Sequence, residues 1–232
     1  MLPVRAAHLR GRLLTAGLLL ALGLTLPLLA PGRSDLHRIQ AAAMQRWGDG
    51  VLVRFNAWQQ LVQSLGSASD IDRLRHVNYF FNRQTRAVED PEAWGQPEYW
   101  ATPMETLGRG AGDCEDFAIA KYFTLLEAGV APDKLRLIYV RARIGISDAT
   151  VNQAHMVLAY YPQPEAEPLL LDNLIADIKP ASRRPDLIPV FSFSREGVFT
   201  GISGRESRPA GSNARLSRWE NLLQRVKAEG FD

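Results

Sequence analysis

The spacing of apolar residues changes from helical to strand-like at Gly129 in this chain of 232 residues, and that change limits the folds it can adopt. Up to Gly129 the apolar residues recur at helical spacing, whereas later they form strand-like runs. The predicted helices cover residues 35–47 and 51–65, a segment that begins at Asp70, and a closing segment over 216–228. The predicted strands cover residues 135–144, 154–161, 169–174 and 190–200. Helices followed by antiparallel strands are typical of an α+β fold.

The segment from Ala87 to Gly112 departs from this pattern because it is rich in proline and glycine. Such residues favour turns, so the segment is predicted to be a long loop. It carries Trp94, Tyr99 and Trp100, which either cover the core or line a cleft beside the helix that follows.

A basic and then apolar leader occupies residues 1–30. Arginines precede an apolar run from Leu13 to Ala30, which is typical of a secretory signal. The residues before Pro31 make a poor cleavage site, and the run approaches the roughly 17–25 residues that span a bilayer. An uncleaved membrane anchor is therefore the alternative. In both cases residues 35–232 are predicted to form one domain outside the cytoplasm.

Composition excludes several classes of protein. The formal net charge is only +2, and the basic residues are scattered without interleaved aromatic residues, so nucleic acid is not a predicted partner. A single cysteine, Cys114, cannot form a disulfide within an exported chain. One cysteine and one well-placed histidine also fail to supply the ligands of a tetrahedral zinc site.

Cys114 lies at the predicted first turn of a helix that ends at Gly129. Asp113 is predicted to cap this helix, and Asp116 stands where a capping box places an acid. A helix N-terminus favours the thiolate, which makes Cys114 a candidate nucleophile. The alternative is a small, buried and inert thiol.

Asp113, Glu115 and Asp116 crowd around this cysteine. Their charges would raise the pKa of the thiol and repel one another. A bound hard cation would remove the conflict, and carboxylate oxygens suit calcium or magnesium. These three residues are therefore candidate metal ligands.

His155 and Asp172 flank a turn-rich polar segment between two apolar runs, which predicts a β-hairpin. If the hairpin is symmetric about Gln163 and Pro164, the two residues face each other directly with Cβ atoms about 4.5–5.5 Å apart. A carboxylate in an apolar strand is costly unless it is paired, and His155 is its evident partner. An imidazole oriented in this way would take the proton from Cys114, although His155 can also be interpreted as a core histidine.

Three segments, in this chain order, carry a family resemblance. They are Gly112-Asp113-Cys114-Glu115-Asp116, Gln153-Ala154-His155-Met156-Val157-Leu158 and Leu170-Leu171-Asp172-Asn173, supported by the loop Tyr99-Trp100-Ala101-Thr102-Pro103. Over about residues 35–200 the chain resembles the bacterial transglutaminase-like cysteine proteinases, and among them the periplasmic LapG type.

The resemblance implies a papain-like α+β core with Cys114 as nucleophile, His155 as general base and Asp172 as orienting acid. It also implies a calcium ion held by the carboxylates that flank the nucleophile. Proteinases of this type cut a large biofilm adhesin near its N-terminus at a di-alanine bond. An inner-membrane cyclic-di-GMP receptor sequesters them, so the resemblance implies the same partners and a periplasmic location here.

Two other functions use the same residues. One is a different acyl-transfer enzyme of this fold, either a cross-linking transglutaminase or a cell-wall amidase. The other is a non-catalytic binding module with an inert Cys114. For an enzyme, the backbone N–H of Cys114 and a donor from the loop that carries Trp100 are the expected oxyanion donors.

Overall fold

A computed structural model describes residues 34–145, 151–195, 197–200 and 213–231 of the protein. These residues belong to one compact unit that spans residues 32–232. None of their helices is long and apolar enough to cross a membrane. The predicted leader, residues 1–30, lies outside the described residues, so its cleavage or retention stays a prediction.

The described residues contain seven α-helices. Their bounds are α1 Leu36–Trp47, α2 Leu52–Ser64, α3 Asp70–Gln84, α4 Asp90–Trp94, α5 Pro103–Arg109, α6 Cys114–Glu127 and α7 Asn213–Glu229. The five helices predicted from apolar spacing, including the one that begins near Cys114, are confirmed to within a few residues. Gly129 follows α6 with φ of 89°, which is the left-handed conformation expected at a helix end.

The prediction of a long loop over residues 87–112 is wrong, because this segment contains α4 and α5. The side chain of Thr102 accepts from the amide of Glu105, and the Glu105 side chain accepts in return from the amide of Thr102, so a capping box begins α5. Gly95 and Gly110 end α4 and α5 in the left-handed conformation, with φ of 68° and 64°. The prolines and glycines that indicated a loop therefore mark the ends of two short helices.

A six-stranded antiparallel sheet follows the first six helices. Its strands are β3 Leu135–Ile144, β4 Val151–Tyr160, β5 Leu169–Leu171, β6 Lys179–Pro180, β7 Leu187–Ser194 and β8 Gly197–Thr200, in the order β6-β5-β4-β3-β7-β8. The single strand predicted over 190–200 is instead the hairpin of β7 and β8. Two short parallel strands, β1 Arg86–Ala87 and β2 Ala111–Gly112, form a separate pair ahead of α6. The predicted α+β class is confirmed.

Both faces of the sheet are buried at its centre. Helix α6 packs against β3 and β4 on one face, where Met156 and Leu158 join the main core. On the other face Val157 and Ala159 join a smaller apolar cluster. Burial on both faces explains why β4 reads as a continuous apolar run rather than as alternating residues.

The hairpin of β4 and β5 has a different register from the predicted one. Leu158 pairs with Leu171, whereas symmetry about Gln163 and Pro164 would pair it with Leu169. The strands have therefore slipped by two residues, and Asp172 does not stand directly opposite His155. A slip of two residues keeps every side chain on its original face, so contact between the two remains possible along the diagonal.

Candidate active site

Cys114 is the first residue of α6. Asp113 precedes it in an extended conformation and caps the helix, because its side chain accepts from the amides of Glu115 and Asp116. The capping box expected for Asp116 is absent. Its carboxylate accepts instead from the Ala101 amide at 2.8 Å and from the indole N–H of Trp94 at 2.9 Å. The carboxylate of Asp116 thus holds α6 against the segment that precedes α5.

The thiol of Cys114 is surrounded by groups that have opposing effects on its pKa. Sγ donates to Oε2 of Glu115 at 2.7 Å. Burial raises the pKa of the thiol well above its usual value, and the charges of Glu115 and Asp113 raise it further, whereas the backbone amide of Met156 lowers it.

His155 and Asp172 are in contact despite the changed register. Nε2 of His155 lies 2.8 Å from Oδ1 of Asp172, and the residues are only 3% and 1% exposed. The amide of Leu174 donates to the same oxygen at 3.0 Å. Burial would raise the pKa of Asp172, but the hydrogen bond and charge of His155, together with Leu174 and Arg184, outweigh it and lower that pKa to about 2. Asp172 is therefore an anion at neutral pH, and it leaves Nδ1 of His155 available for another partner.

The sequence indicated His155 as the partner of Asp172, but the structure adds a second partner. Nη2 of Arg184 lies 2.8 Å from Oδ2 of Asp172, and both side chains are buried. In the sequence, Arg184 stands in a polar segment, Ser182-Arg183-Arg184-Pro185, that reads as an exposed turn. Nothing in that pattern distinguishes the buried arginine from Arg183, so only the tertiary structure identifies it.

Three carboxylates meet beside Cys114, and we call Asp90, Asp113 and Asp116 the acidic cluster. One oxygen from each lies within 4.8 Å of the others. Asp90 was missed because it is distant in sequence, and the parallel pairing of β1 with β2 brings it to Asp113. Burial and the charges of the neighbouring carboxylates raise the pKa of Asp113 to about 9. Burial is the main cause for the other two, and it raises the pKa of Asp116 to about 8 and that of Asp90 to about 6.

The acidic cluster fits a hard divalent cation. Oδ1 of Asp90 is buried without a hydrogen-bond partner. Gly112 leaves room for the cluster, because a Cβ at that position would lie 2.4 Å from Oδ2 of Asp116. Oxygen-only ligand sets suit calcium or magnesium. Glu115, also a predicted ligand, forms a different group with Asp113 and the sulfur of Cys114.

A cleft of about 640 Å³ joins these parts. Its lining residues include Cys114, His155, Asn173, Trp100 and members of the acidic cluster. Trp100 serves both of the roles considered for it, because its ring also stacks on Phe193 of the core at 5.4 Å. The arrangement places a thiol, an imidazole oriented by a carboxylate, and a helix N-terminus around one open volume, which is suited to acyl transfer.

Comparisons with known proteins agree with this chemistry. The family described as bacterial transglutaminase-like cysteine proteinase matches residues 57–185. Legionella pneumophila LapG is 42% identical, with a TM-score of 0.69 over 85% of this chain and 99% of that chain. An EGTA-treated structure of LapG gives 42% identity and the same TM-score of 0.69, over 85% of this chain and 100% of that one. A calcium-bound structure of LapG is 41% identical, with a TM-score of 0.69 over 82% of this chain and 98% of that one.

A search of curated proteins found no match. The family match covers more than half of the chain, and the similarity to LapG extends over nearly the whole of that protein. The chain belongs to the bacterial transglutaminase-like cysteine proteinases and is a cysteine protease.

Proposed function

We propose that this protein is a periplasmic, calcium-dependent cysteine endopeptidase that cleaves a large cell-surface adhesin near its N-terminus and so releases cells from a biofilm. One observation carries the proposal. Cys114 and a His155 that is hydrogen-bonded to Asp172 line the same cleft as Asp90 and Asp113 of the acidic cluster. The cleft therefore combines a candidate triad with oxygen ligands for a cation.

In the proposed reaction, the thiolate of Cys114 attacks the carbonyl carbon of the scissile peptide bond. The thiol proton passes to Nδ1 of His155, since Nε2 is held by Asp172. Before this step the thiol must exchange its present acceptor, Oε2 of Glu115, for the imidazole. Asp172 fixes the tautomer of the ring and stabilises the imidazolium that forms.

The tetrahedral intermediate places a negative charge on the former carbonyl oxygen. The backbone N–H of Cys114 at the start of α6 is the proposed first oxyanion donor, and the segment around Trp100 is the proposed source of the second. The imidazolium of His155 then gives its proton to the leaving amine. Water activated by the same imidazole hydrolyses the acyl-enzyme and regenerates the thiol.

Calcium would be held by the carboxylates of the acidic cluster, with Glu115 nearby. It would supply positive charge that keeps these carboxylates ionised and offsets their effect on the pKa of the thiol. The calcium-bound and EGTA-treated structures of Legionella pneumophila LapG support calcium rather than magnesium.

The substrate, the partner and the location are supported by the similarity to LapG and by the predicted leader. The proposed substrate is the N-terminal region of a large surface adhesin, cut at a di-alanine bond. The proposed partner is an inner-membrane cyclic-di-GMP receptor that sequesters the enzyme. Cell fractionation of a tagged full-length chain tests the location, and recovery of the tag in the cytoplasm would contradict it.

The decisive experiment incubates the purified protein with an N-terminal fragment of the largest surface protein of the same cell. We expect cleavage that stops in excess EGTA and returns with calcium but not with magnesium. Cys114→Ala should remove cleavage while keeping the circular dichroism spectrum of the wild type. Full activity in EGTA would overturn the calcium dependence.

A labelled amine added to the same reaction tests the alternative acyl-transfer function. Incorporation of the amine without cleavage of the fragment would show that transfer, rather than hydrolysis, is the reaction of this chain. Cleavage without incorporation supports the endopeptidase.

A further inference from the structure

The backbone of Asp172 is fixed independently of its carboxylate. Its carbonyl oxygen accepts from Nζ of Lys121 at 3.1 Å and from Nδ2 of Asn82 at 2.9 Å. Lys121 lies on α6 and Asn82 on α3, so two helices of the main core hold this residue in place. The direction of the carboxylate is therefore set by the groups that touch its two oxygens.

Those two oxygens have unequal surroundings. Oδ1 accepts from His155 and from the amide of Leu174. Oδ2 is buried and accepts no hydrogen bond of good geometry, and the described residues bring to it a single charged group, Nη2 of Arg184 at 2.8 Å. Without Arg184, this oxygen would be an unpaired acceptor in an apolar interior, which is costly.

Arg184 is itself held in a fixed orientation. Its Nε lies 3.0 and 3.2 Å from the two carboxylate oxygens of Asp186, and its Nη2 lies 2.8 Å from Oδ2 of that residue. Its backbone amide donates to Ala181 at 3.0 Å. The side chain is almost fully buried beside the smaller apolar cluster of the sheet. A planar guanidinium braced in this way presents its charge to Asp172 from one direction.

We infer that Arg184 is a positioning residue that turns the carboxylate of Asp172 toward Nε2 of His155 and keeps it ionised. The inference rests on the proposed function, because Arg184 acts on the reaction only through Asp172 and His155. If its charge is lost, the buried carboxylate rotates away or takes up a proton. Either change removes the anion that orients the imidazole and stabilises its protonated form, so the thiolate of Cys114 forms less readily.

The test compares Arg184→Met and Arg184→Lys with Arg183→Met, which removes the exposed arginine next to it in the chain and leaves Asp172 and its partners in place. For Arg184→Met we expect kcat on the adhesin fragment to fall about 10- to 100-fold with KM nearly unchanged, since part of the carboxylate's effect is lost. The kcat of Arg184→Lys should fall less, because lysine keeps the positive charge but lacks the planar guanidinium group. Arg183→Met should keep the kcat of the wild type.

A second measurement needs no substrate and follows the alkylation of Cys114 by iodoacetamide as a function of pH in saturating calcium, so that the charge around the thiol is the same in every variant. For Arg184→Met we expect the midpoint of alkylation to move upward by about one pH unit, the size of effect that a lost nearby charge produces. Arg183→Met should leave the midpoint unchanged. A role in stability alone would lower the Tm of Arg184→Met without moving its midpoint.

Wild-type kcat and an unmoved alkylation midpoint in Arg184→Lys and Arg184→Met would overturn the inference. An equal loss of kcat in Arg183→Met would also overturn it, because the effect would then not depend on contact with Asp172. If Arg184→Met does not fold, Arg184→Lys decides alone. Since alkylation does not depend on the substrate, a wrong substrate is distinguished from a wrong role for Arg184.

Discussion

Asp172 is buried beside His155 and the acidic cluster is largely buried beside Cys114, yet their carboxylates titrate in opposite directions. The pKa of Asp172 is lowered to about 2, whereas those of Asp90, Asp113 and Asp116 are raised to about 6, about 9 and about 8. Burial acts in the same sense on all four, because it disfavours the charged form. The difference therefore comes from their neighbours.

The neighbours of Asp172 are an imidazole, a backbone amide and a guanidinium. The neighbours of the acidic cluster are mainly other carboxylates, with only a few backbone and indole donors. The protein thus supplies the counter-charge for its proposed catalytic anion from its own side chains. In the proposed function the counter-charge of the acidic cluster would come from an external cation, which would make that half of the site responsive to calcium.

The largest expected effect comes from neutralising Asp172. Asp172→Asn should lower kcat/KM by about 10³- to 10⁴-fold, because the amide leaves His155 in the wrong tautomer. Calcium affinity should be unchanged, since Asp172 is not part of the acidic cluster. Steady-state cleavage of the adhesin fragment and calcium titration by calorimetry measure the two quantities. A loss of less than tenfold in kcat/KM would show that Asp172 does not orient the histidine.

A smaller effect is expected at the acidic cluster. Trp94→Phe keeps an aromatic ring but removes the indole N–H that donates to Oδ2 of Asp116 at 2.9 Å. Loss of a hydrogen bond to a metal-ligating group typically lowers metal affinity by about 10- to 100-fold. We expect calorimetry to show a loss of about tenfold in calcium affinity for this variant.

Trp58→Phe is the matched control for this change. Its indole N–H donates to the hydroxyl of Thr124 at the same distance, 2.9 Å, but within the core. The Trp58→Phe substitution should lower the stability of the protein without altering its calcium affinity. Equal calcium affinities for Trp94→Phe and the wild type would mean that the acidic cluster does not bind the ion through Asp116.

The smallest effect is a difference in how stability depends on pH. Asp113 and Asp116 have pKa values in the calcium-free folded state far above their usual value of 3.8, so the folded state binds more protons than the unfolded state. Their stabilising effect is full below pH 4 and is lost as the pH rises to about 9. For Asp172 the sign is reversed, and stability is lost as the pH falls from about 4 to about 2.

We therefore expect the Tm measured in EGTA to fall between pH 5 and pH 9, and saturating calcium to flatten this fall. Calorimetry in buffers of different ionisation enthalpy should show that calcium binding at pH 7 releases about one to two protons. A Tm in EGTA that rises over this pH range would contradict the assignment of these carboxylates as protonated in the absence of calcium.

The sequence predicted the parts of the site that depend on local pattern. Cys114 begins a helix because Asp113 can cap it and apolar residues continue it, and these are neighbours along the chain. His155 and Asp172 were paired from a hairpin pattern, and their contact survives a wrong register because a slip of two residues preserves the face.

What was missed depends on residues distant in sequence. Asp90 reaches the acidic cluster through the pairing of β1 with β2, and the short helix that it begins was interpreted as part of a loop. Arg184 resembles its exposed neighbour Arg183 until the sheet encloses it. Charge and residue type were visible in both cases, but burial and partners were not.

The sequence by itself determined the order of the five longer helices and of the main strands, the position of the thiol at a helix start, and the family, because these follow from periodicity, capping and contiguous motifs. The tertiary structure alone decided which carboxylates share a cation site and which arginine faces Asp172. Those assignments depend on long-range packing, since an interaction between buried charges is set by distance and desolvation rather than by position along the chain.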